Sequence, residues 1–179
     1  MITVICTTPK REMWLKDCLQ SLEERPVMIL SDYTFELGKI NFVMKHTNIE
    51  RFLLLQDSVV FKDVKKFYEN LSWYQGSVSI NKCPTYYGSF MGVYERRILK
   101  RMQIPVVKSK KEQVTYEMTF NNAYANLLEG FVPIMYPELN DTTNTSFVER
   151  HGRTNLVLEN DVMIKYKGTW RQDQIKSKI

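Results

Sequence analysis

The sequence predicts an α/β fold, a mostly parallel, Rossmann-like sheet flanked by helices. Three observations carry that expectation. Short apolar runs alternate with helix-periodic stretches from Ile2 to Asp57, in the β-α-β-α-β order of a parallel sheet with right-handed crossovers. The run Phe52–Leu55 is apolar without alternation, as in a strand buried on both faces. At 179 residues and 44% hydrophobic content, the chain can build one real core.

Each element has its own reason. Ile2–Cys6 is a β-branched strand, and Pro9 ends it or enters the following turn. Met13–Glu24 is an amphipathic helix with Trp14, Cys18 and Leu22 on one stripe and Leu15 and Leu19 beside it. Pro26 resets the chain before the strand Val27–Leu30, which ends at Ser31-Asp32. Gly38–Asn48 reads as a helix turning Ile40, Val43, Met44 and Thr47 inward, and Phe52–Asp57 is the third strand. After Asp63, Val64, Phe67, Tyr68 and Leu71 recur at helical spacing, and Ser77–Ile80 is a fourth strand. The segment from Cys83 to Tyr94 mixes tyrosines with Gly88 and Gly92. It reads either as a loop approaching a ligand or as a tight loop whose rings cover the core. Glu95–Met102 is a helix closed by Pro105, and Lys108–Lys111 is a basic run. Lys111–Gly130 is the longest helix, with Tyr116, Phe120, Tyr124 and Leu127 on its inner face and Gly130 as C-cap. Phe131–Tyr136 is another strand, Asn140–Ser146 is polar, and Phe147–Trp170 is dense in His, Arg, Asn and Lys.

Composition narrows the setting. No apolar run approaches the ~20 residues that span a bilayer, and Lys10-Arg11 interrupts the apolar start, so neither a membrane span nor a secretory leader is expected. Cys6, Cys18 and Cys83 stand singly, without metal-ligand spacing, as small buried thiols of a reducing compartment. A cytoplasmic location follows, with the sequons at Asn70, Asn140 and Asn144 unused. The net charge of +5 and pI near 9.0 suit an anionic ligand, either a sugar nucleotide or nucleic acid.

Asp57 closes the third strand in the order Gln56-Asp57-Ser58. Ligands of open α/β sheets sit at the carboxyl ends of strands, where a carboxylate is a hard donor for Mg²⁺ or Mn²⁺. The plainer account is that Asp57 and Ser58 merely cap the next turn.

In ITVICTTPKR, Ser31-Asp32, Gly38-Lys39 and FLLLQDS, the chain resembles the nucleotide-diphospho-sugar glycosyltransferases of the GT-A fold. These stretches are similar to the opening strand and loop, the acidic residue near the nucleoside, the second helix and the Asp-x-Asp strand of the large inverting family. KKEQVTYEMTFNNAYANLLEGFVPIMYPEL is similar to that family's Glu-Asp, long-helix and Pro-Glu segment. The resemblance spans most of residues 1–140 by pattern. With YYGSFMGVY and HGRTNL…IKYKGTW, it extends to small glycosyltransferase-like proteins of phages and bacteria.

That resemblance implies one domain over 1–179. Residues 1–63 would bind the nucleotide sugar, 64–146 would form the acceptor side, and 147–179 would close the active site. It implies Thr7, Thr8, Lys10, Arg11, Asp32, Lys39, Gln56, Asp57, Ser58, Arg153, Lys165 and Lys167 around the donor. Asp57 and His151 would ligate Mn²⁺ or Mg²⁺, while His46 is read as an ordinary helix residue. Glu112 or Glu117 would be the base, and Tyr86, Tyr87 and Gly88 would meet the acceptor. The sequence departs from the family in keeping only Asp57 of the acidic pair and in reading Glu112-Gln113 for Glu-Asp. Acceptors fitting the phage-like resemblance are hydroxymethylated pyrimidines of DNA, reached in the host cytoplasm, with Arg96, Arg97, Lys100 and Arg101 following the phosphates. An envelope glycan, a lipid carrier or a protein is equally compatible. The opposing class is a non-catalytic nucleotide-binding α/β module. A nucleotidyltransferase would want a glycine-rich phosphate loop, which TTPKR lacks.

Overall fold

The computed structural model describes residues 1–82, 91–129, 132–140 and 156–167. Its chain order is β1 (Ile2–Thr7), α1 (Glu12–Ser21), β2 (Val27–Ser31), α2 (Phe35–His46), β3 (Arg51–Gln56), β4 (Val59–Phe61) and α3 (Val64–Ser72). There follow β5 (Val78–Lys82), β6 (Gly92–Glu95), α4 (Arg96–Leu99), α5 (Lys110–Asn126), β7 (Ile134–Asn140), β8 (Leu156–Glu159) and β9 (Met163–Lys167).

Six strands form one sheet in the order β2-β1-β3-β6-β5-β7. The α/β class holds, but the sheet is mixed. β1 pairs in parallel with β2 and β3, and β5 with β7, whereas β6 runs antiparallel to both β3 and β5. The expectation of a loop and then a helix from Gly92 onward therefore fails. Gly92–Glu95 is a central strand, and the helix after it is a single turn. Gly92 serves strand packing: a Cβ there would stand 2.5 Å from the Val78 carbonyl oxygen. β7 also runs past the expected Tyr136, through Pro137. It is an edge strand whose register slips after Asn81, so a residue without an N–H is accommodated.

One face of the sheet packs Ile5, Leu53, Leu55 and Ile80 against Cys18 and Leu22 of α1, Val64, Phe67 and Leu71 of α3, and a small antiparallel sheet ordered β4-β9-β8. The other face packs Val4, Phe52, Leu54 and Tyr94 against Leu37, Ile40 and Val43 of α2 and Phe120 and Tyr124 of α5. The inner stripe of α5 differs from expectation, since Tyr116 is exposed while Gln113 and Asn121 are buried. Cys6 and Cys18 are buried free thiols; Cys83 lies outside the described residues. Among the described residues, no helix is long and apolar enough to cross a membrane.

Polar contacts lock the layers together. Arg96 is buried and donates to the carbonyls of Val43, Met44, Thr47 and Ile49, closing the carboxyl end of α2. Arg97 pairs with Glu95 at 2.8 Å. Of the basic residues assigned to DNA phosphates, Arg96 is thus consumed by the fold, because the orphan carbonyls of a helix end demand donors.

Glu95 also accepts from the backbone N–H and hydroxyl of Ser77 at 3.1 and 2.8 Å. Burial raises its pKa, but the Ser77 and Arg97 hydrogen bonds outweigh that and hold it below the usual glutamate value. A depressed folded pKa gives stability that is present above the unfolded value and lost as pH falls through the folded one. Thermal midpoints between pH 7 and pH 3 should therefore fall more steeply in wild type than in Glu95→Gln below about pH 5. Parallel curves would show that this carboxylate adds nothing to acid lability.

Candidate functional site

The chain leaves β1 through α1 toward β2 on one side, and leaves β3 through β4 and α3 toward β5 on the other. Two adjacent parallel strands with opposite exits open a crevice at their carboxyl ends, where ligands of α/β sheets bind. Thr7 ends β1 and Asp57 follows β3, so both stand at that crevice.

Asp57 is 3% exposed and is held by three donors. Thr7 Oγ1 donates to Oδ2 at 2.6 Å, Arg11 Nε to Oδ2 at 2.7 Å, and Arg11 Nη2 to Oδ1 at 2.7 Å. The planar guanidinium thus grips the carboxylate bidentately. Lys10, at φ 75°, turns the chain into α1 just before Arg11, a left-handed conformation uncommon for a residue with a side chain. The Arg11 guanidinium also lies 5.5 Å from the Trp14 ring, and Trp14 meets Tyr166 of β9 at 5.3 Å. Ser58 is buried, and its carbonyl accepts from the Tyr166 N–H at 3.0 Å, docking β9 beside the strand end. Thr8 is half-buried and Lys10 exposed at the same loop.

The opposite lip is built by β2 and α2. Asp32 accepts from the Thr34 N–H at 2.7 Å and from Lys39 Nζ, while Lys39 also donates to the Asp32 carbonyl at 2.8 Å. Lys39 is fully buried, so it positions Asp32 and does not project into the crevice. Burial raises the Asp32 pKa, but bonds from Lys39 and Thr34 prevail and keep it below the usual aspartate value. Gln56 donates to Glu36 at 2.6 Å. Burial, with Glu36 next, pushes the Cys6 thiol well above its ordinary pKa, so this sulfur stays protonated and is no nucleophile.

Gly38 lies inside α2 and does not start it. A Cβ at Gly38 would fall 2.1 Å from Thr34 Cβ and Oγ1. Gly38→Ala should therefore displace the Asp32–Thr34 turn and cost about 1–3 kcal/mol, seen as a lower urea midpoint. An unchanged midpoint would mean that the turn relaxes freely.

The two candidate bases separate clearly. Glu112 is exposed and accepts from the Lys108 N–H at 2.7 Å, while Ser109 Oγ accepts from the Glu112 N–H at 3.2 Å, a reciprocal cap of α5. Glu117 is half-buried and, with Glu36 and Cys6, is among the groups that raise the Tyr94 phenol pKa, after burial and Tyr124. Four residues after buried Gln113 and three before buried Phe120, it lies on the inner side of α5. Lys165 is buried in β9, opposite Val59 and Leu158, and Lys167 ends that strand opposite Leu156. Tyr86, Tyr87, Gly88, His151 and Arg153 lie outside the described residues. Sequence reasoning passed over Glu36, because the helix was expected to begin at Gly38, whereas α2 begins at Phe35 and takes Glu36 into its first turn.

Among the described residues, no group of three or more His, Cys, Asp or Glu is placed to hold a metal. Asp57 nonetheless fits one mode of cation binding. Its Oδ2 accepts twice and Oδ1 once, which leaves one acceptor position on Oδ1. A Mg²⁺-like ion that draws its other ligands from water and substrate phosphates needs no more. Comparison with protein-family models finds none that matches, and comparison with curated proteins finds none either, so function has to be read from this crevice.

Proposed function

We propose that the chain is a glycosyltransferase of the GT-A kind that binds a nucleotide-diphospho-sugar at the crevice between β1 and β3. The meeting of Thr7, Arg11 and Asp57 at that crevice carries the proposal. Lys10 and Arg11 supply cationic donors for the diphosphate, and Asp32 sits on the lip suited to the nucleoside. A divalent ion, when bound, would add charge neutralisation for the leaving diphosphate. Asp57 would be its protein ligand through Oδ1, with His151 as a further candidate.

Transfer with inversion needs a base to take the acceptor proton as the hydroxyl attacks the anomeric carbon. Glu117 is the glutamate assigned to this role, being half-buried within α5, whereas Glu112 is exposed and caps the helix start. Acceptors to try are DNA with hydroxymethylated pyrimidines, envelope glycans and proteins. A nucleotide-binding module without catalysis has one point in its favour: the Arg11–Asp57 pair also ties α1 to β3 as a purely structural bond would.

The experiment is release of nucleoside diphosphate from a panel of nucleotide sugars with each acceptor class. Glu117→Gln is expected to lower turnover by about 100-fold or more with donor affinity retained, whereas Glu112→Gln should keep turnover. No release from any pair, with nucleotide still bound, would favour the non-catalytic module.

A further inference from the structure

We propose that Trp14 is a positioning residue of the donor site, holding the Arg11 guanidinium so that its free edge takes two oxygens of a phosphoryl group. This rests on the donor-site reading and adds to it the edge that meets the phosphates and the residue that aims it. Arg11 Nε and Nη2 each donate to an Asp57 oxygen at 2.7 Å, which uses two of the five N–H groups. Both bonds lie along the side of the guanidinium fork. Across its end, Nη1 and Nη2 still hold two parallel N–H groups without a partner among the described residues. The Arg11 side chain is 33% exposed, so solvent reaches this edge.

Trp14 removes the freedom that Asp57 leaves. The carboxylate holds the guanidinium by one edge, about which its plane could still tilt. The Trp14 ring lies 5.5 Å from the guanidinium carbon, within the ~6 Å reach of a cation–π contact, and so sets the tilt. Arg11 is the residue before α1 and Trp14 the third residue within it, a spacing that brings both side chains to one helix face. The ring is itself fixed. It packs 5.3 Å from the ring of Tyr166, which is buried and whose N–H donates to the Ser58 carbonyl at 3.0 Å. The open edge of Arg11 is thus directed before any ligand arrives, which lowers the ordering cost of binding.

Two parallel N–H groups match a pair of oxygens on one phosphorus, the bidentate geometry in which arginine recognises phosphate. Asp57 balances the charge of Arg11, so the fork selects by direction, and exposed Lys10 beside it adds positive charge. The hydroxyls of a sugar and the edge of a base offer no such anionic pair. The part of the donor that fits is the diphosphate, and Trp14 acts on it only through Arg11.

Calorimetric titration tests this with UDP, GDP, ADP and CDP, their sugar conjugates and inorganic pyrophosphate. The proteins are wild type, Arg11→Lys, Trp14→Leu, Trp14→Phe and the double variant Arg11→Lys with Trp14→Leu. Trp14→Leu is expected to weaken nucleoside diphosphate and pyrophosphate about tenfold, and Trp14→Phe to stay within about threefold of wild type, because a ring still faces the cation. In the Arg11→Lys background, which has no fork to aim, Trp14→Leu should lose no further affinity. Binding should also change the indole emission of wild type, and that change should vanish in Trp14→Phe. Trp73 is no source of it, since it lies at the amino end of β3, where Arg51 Nη2 meets the Tyr74 carbonyl. This readout stands even if Trp14→Leu fails to fold. Wild-type affinity in Trp14→Leu, an equal loss in both backgrounds, or the same emission change in Trp14→Phe overturns the role of Trp14. Diphosphate bound with this pattern, and no sugar conjugate bound, would remove the glycosyltransferase reading and support the fork. If wild type binds none of the panel, both are overturned.

Discussion

Arg96→Ala should lower stability by about 3–5 kcal/mol, the largest effect expected of any single side chain outside the apolar core. The guanidinium is buried and spans four backbone carbonyls, from Val43, Met44, Thr47 and Ile49. Removing it strips donors from carbonyls at a helix end that water reaches poorly, and it takes away a positive charge that the helix dipole favours. Lysine should rescue little, because one ammonium cannot reproduce the forked geometry. Urea denaturation checks this through the midpoint, with the slope expected to hold. A loss below about 1 kcal/mol would place Arg96 among ordinary surface cations.

Arg11→Ala should cost about 3 kcal/mol, because Asp57 would remain buried without its ionic partner. The cost is set mainly by the orphaned carboxylate, so Asp57→Asn in the Arg11→Ala background should recover part of it. That recovery separates a buried pair from two independent contacts, and a double-mutant cycle measures it. Trp14 packs between Arg11 and Tyr166 of β9, so weaker docking of β9 should accompany the loss. Proteolysis within residues 156–167 would report it. Additive costs, with no recovery, would mean that Arg11 and Asp57 are each satisfied by solvent.

How much of this was legible in the sequence depends on the range of the contact. The first three strands and their helices follow from β-branched runs and stripes such as Trp14, Cys18 and Leu22, which are local signals. Asp57 at the strand end was legible for the same reason. β6 was not: its four residues include Gly92, and its place between β3 and β5 is fixed by pairing with residues far along the chain. The inner face of α5 was misread because it carries Gln113 and Asn121 where apolar residues define a stripe, which left exposed Tyr116 to complete the pattern. Arg96 and Arg97 read as a basic surface, since nothing nearby in sequence announces that Arg96 reaches carbonyls of α2 about fifty residues earlier. Glu112 shows the opposite case. The Ser109-x-x-Glu112 spacing of a capping box stood in the sequence, and the glutamate's cap role was readable there.

The crevice between β1 and β3 as donor site is tested most directly by thermal stabilisation. UDP-, GDP-, ADP- and CDP-sugars would be added, with and without Mn²⁺, to wild type and to Asp57→Asn. A ligand at about 100 times its Kd adds about 2.7 kcal/mol to the folded state, which a melting curve resolves. One nucleotide sugar should raise the wild-type midpoint, with Mn²⁺ enhancing the rise, and Asp57→Asn should lose most of it while still folding. No shift from any donor, or an equal shift in the variant, would contradict the assignment of Asp57 and its crevice to the nucleotide sugar.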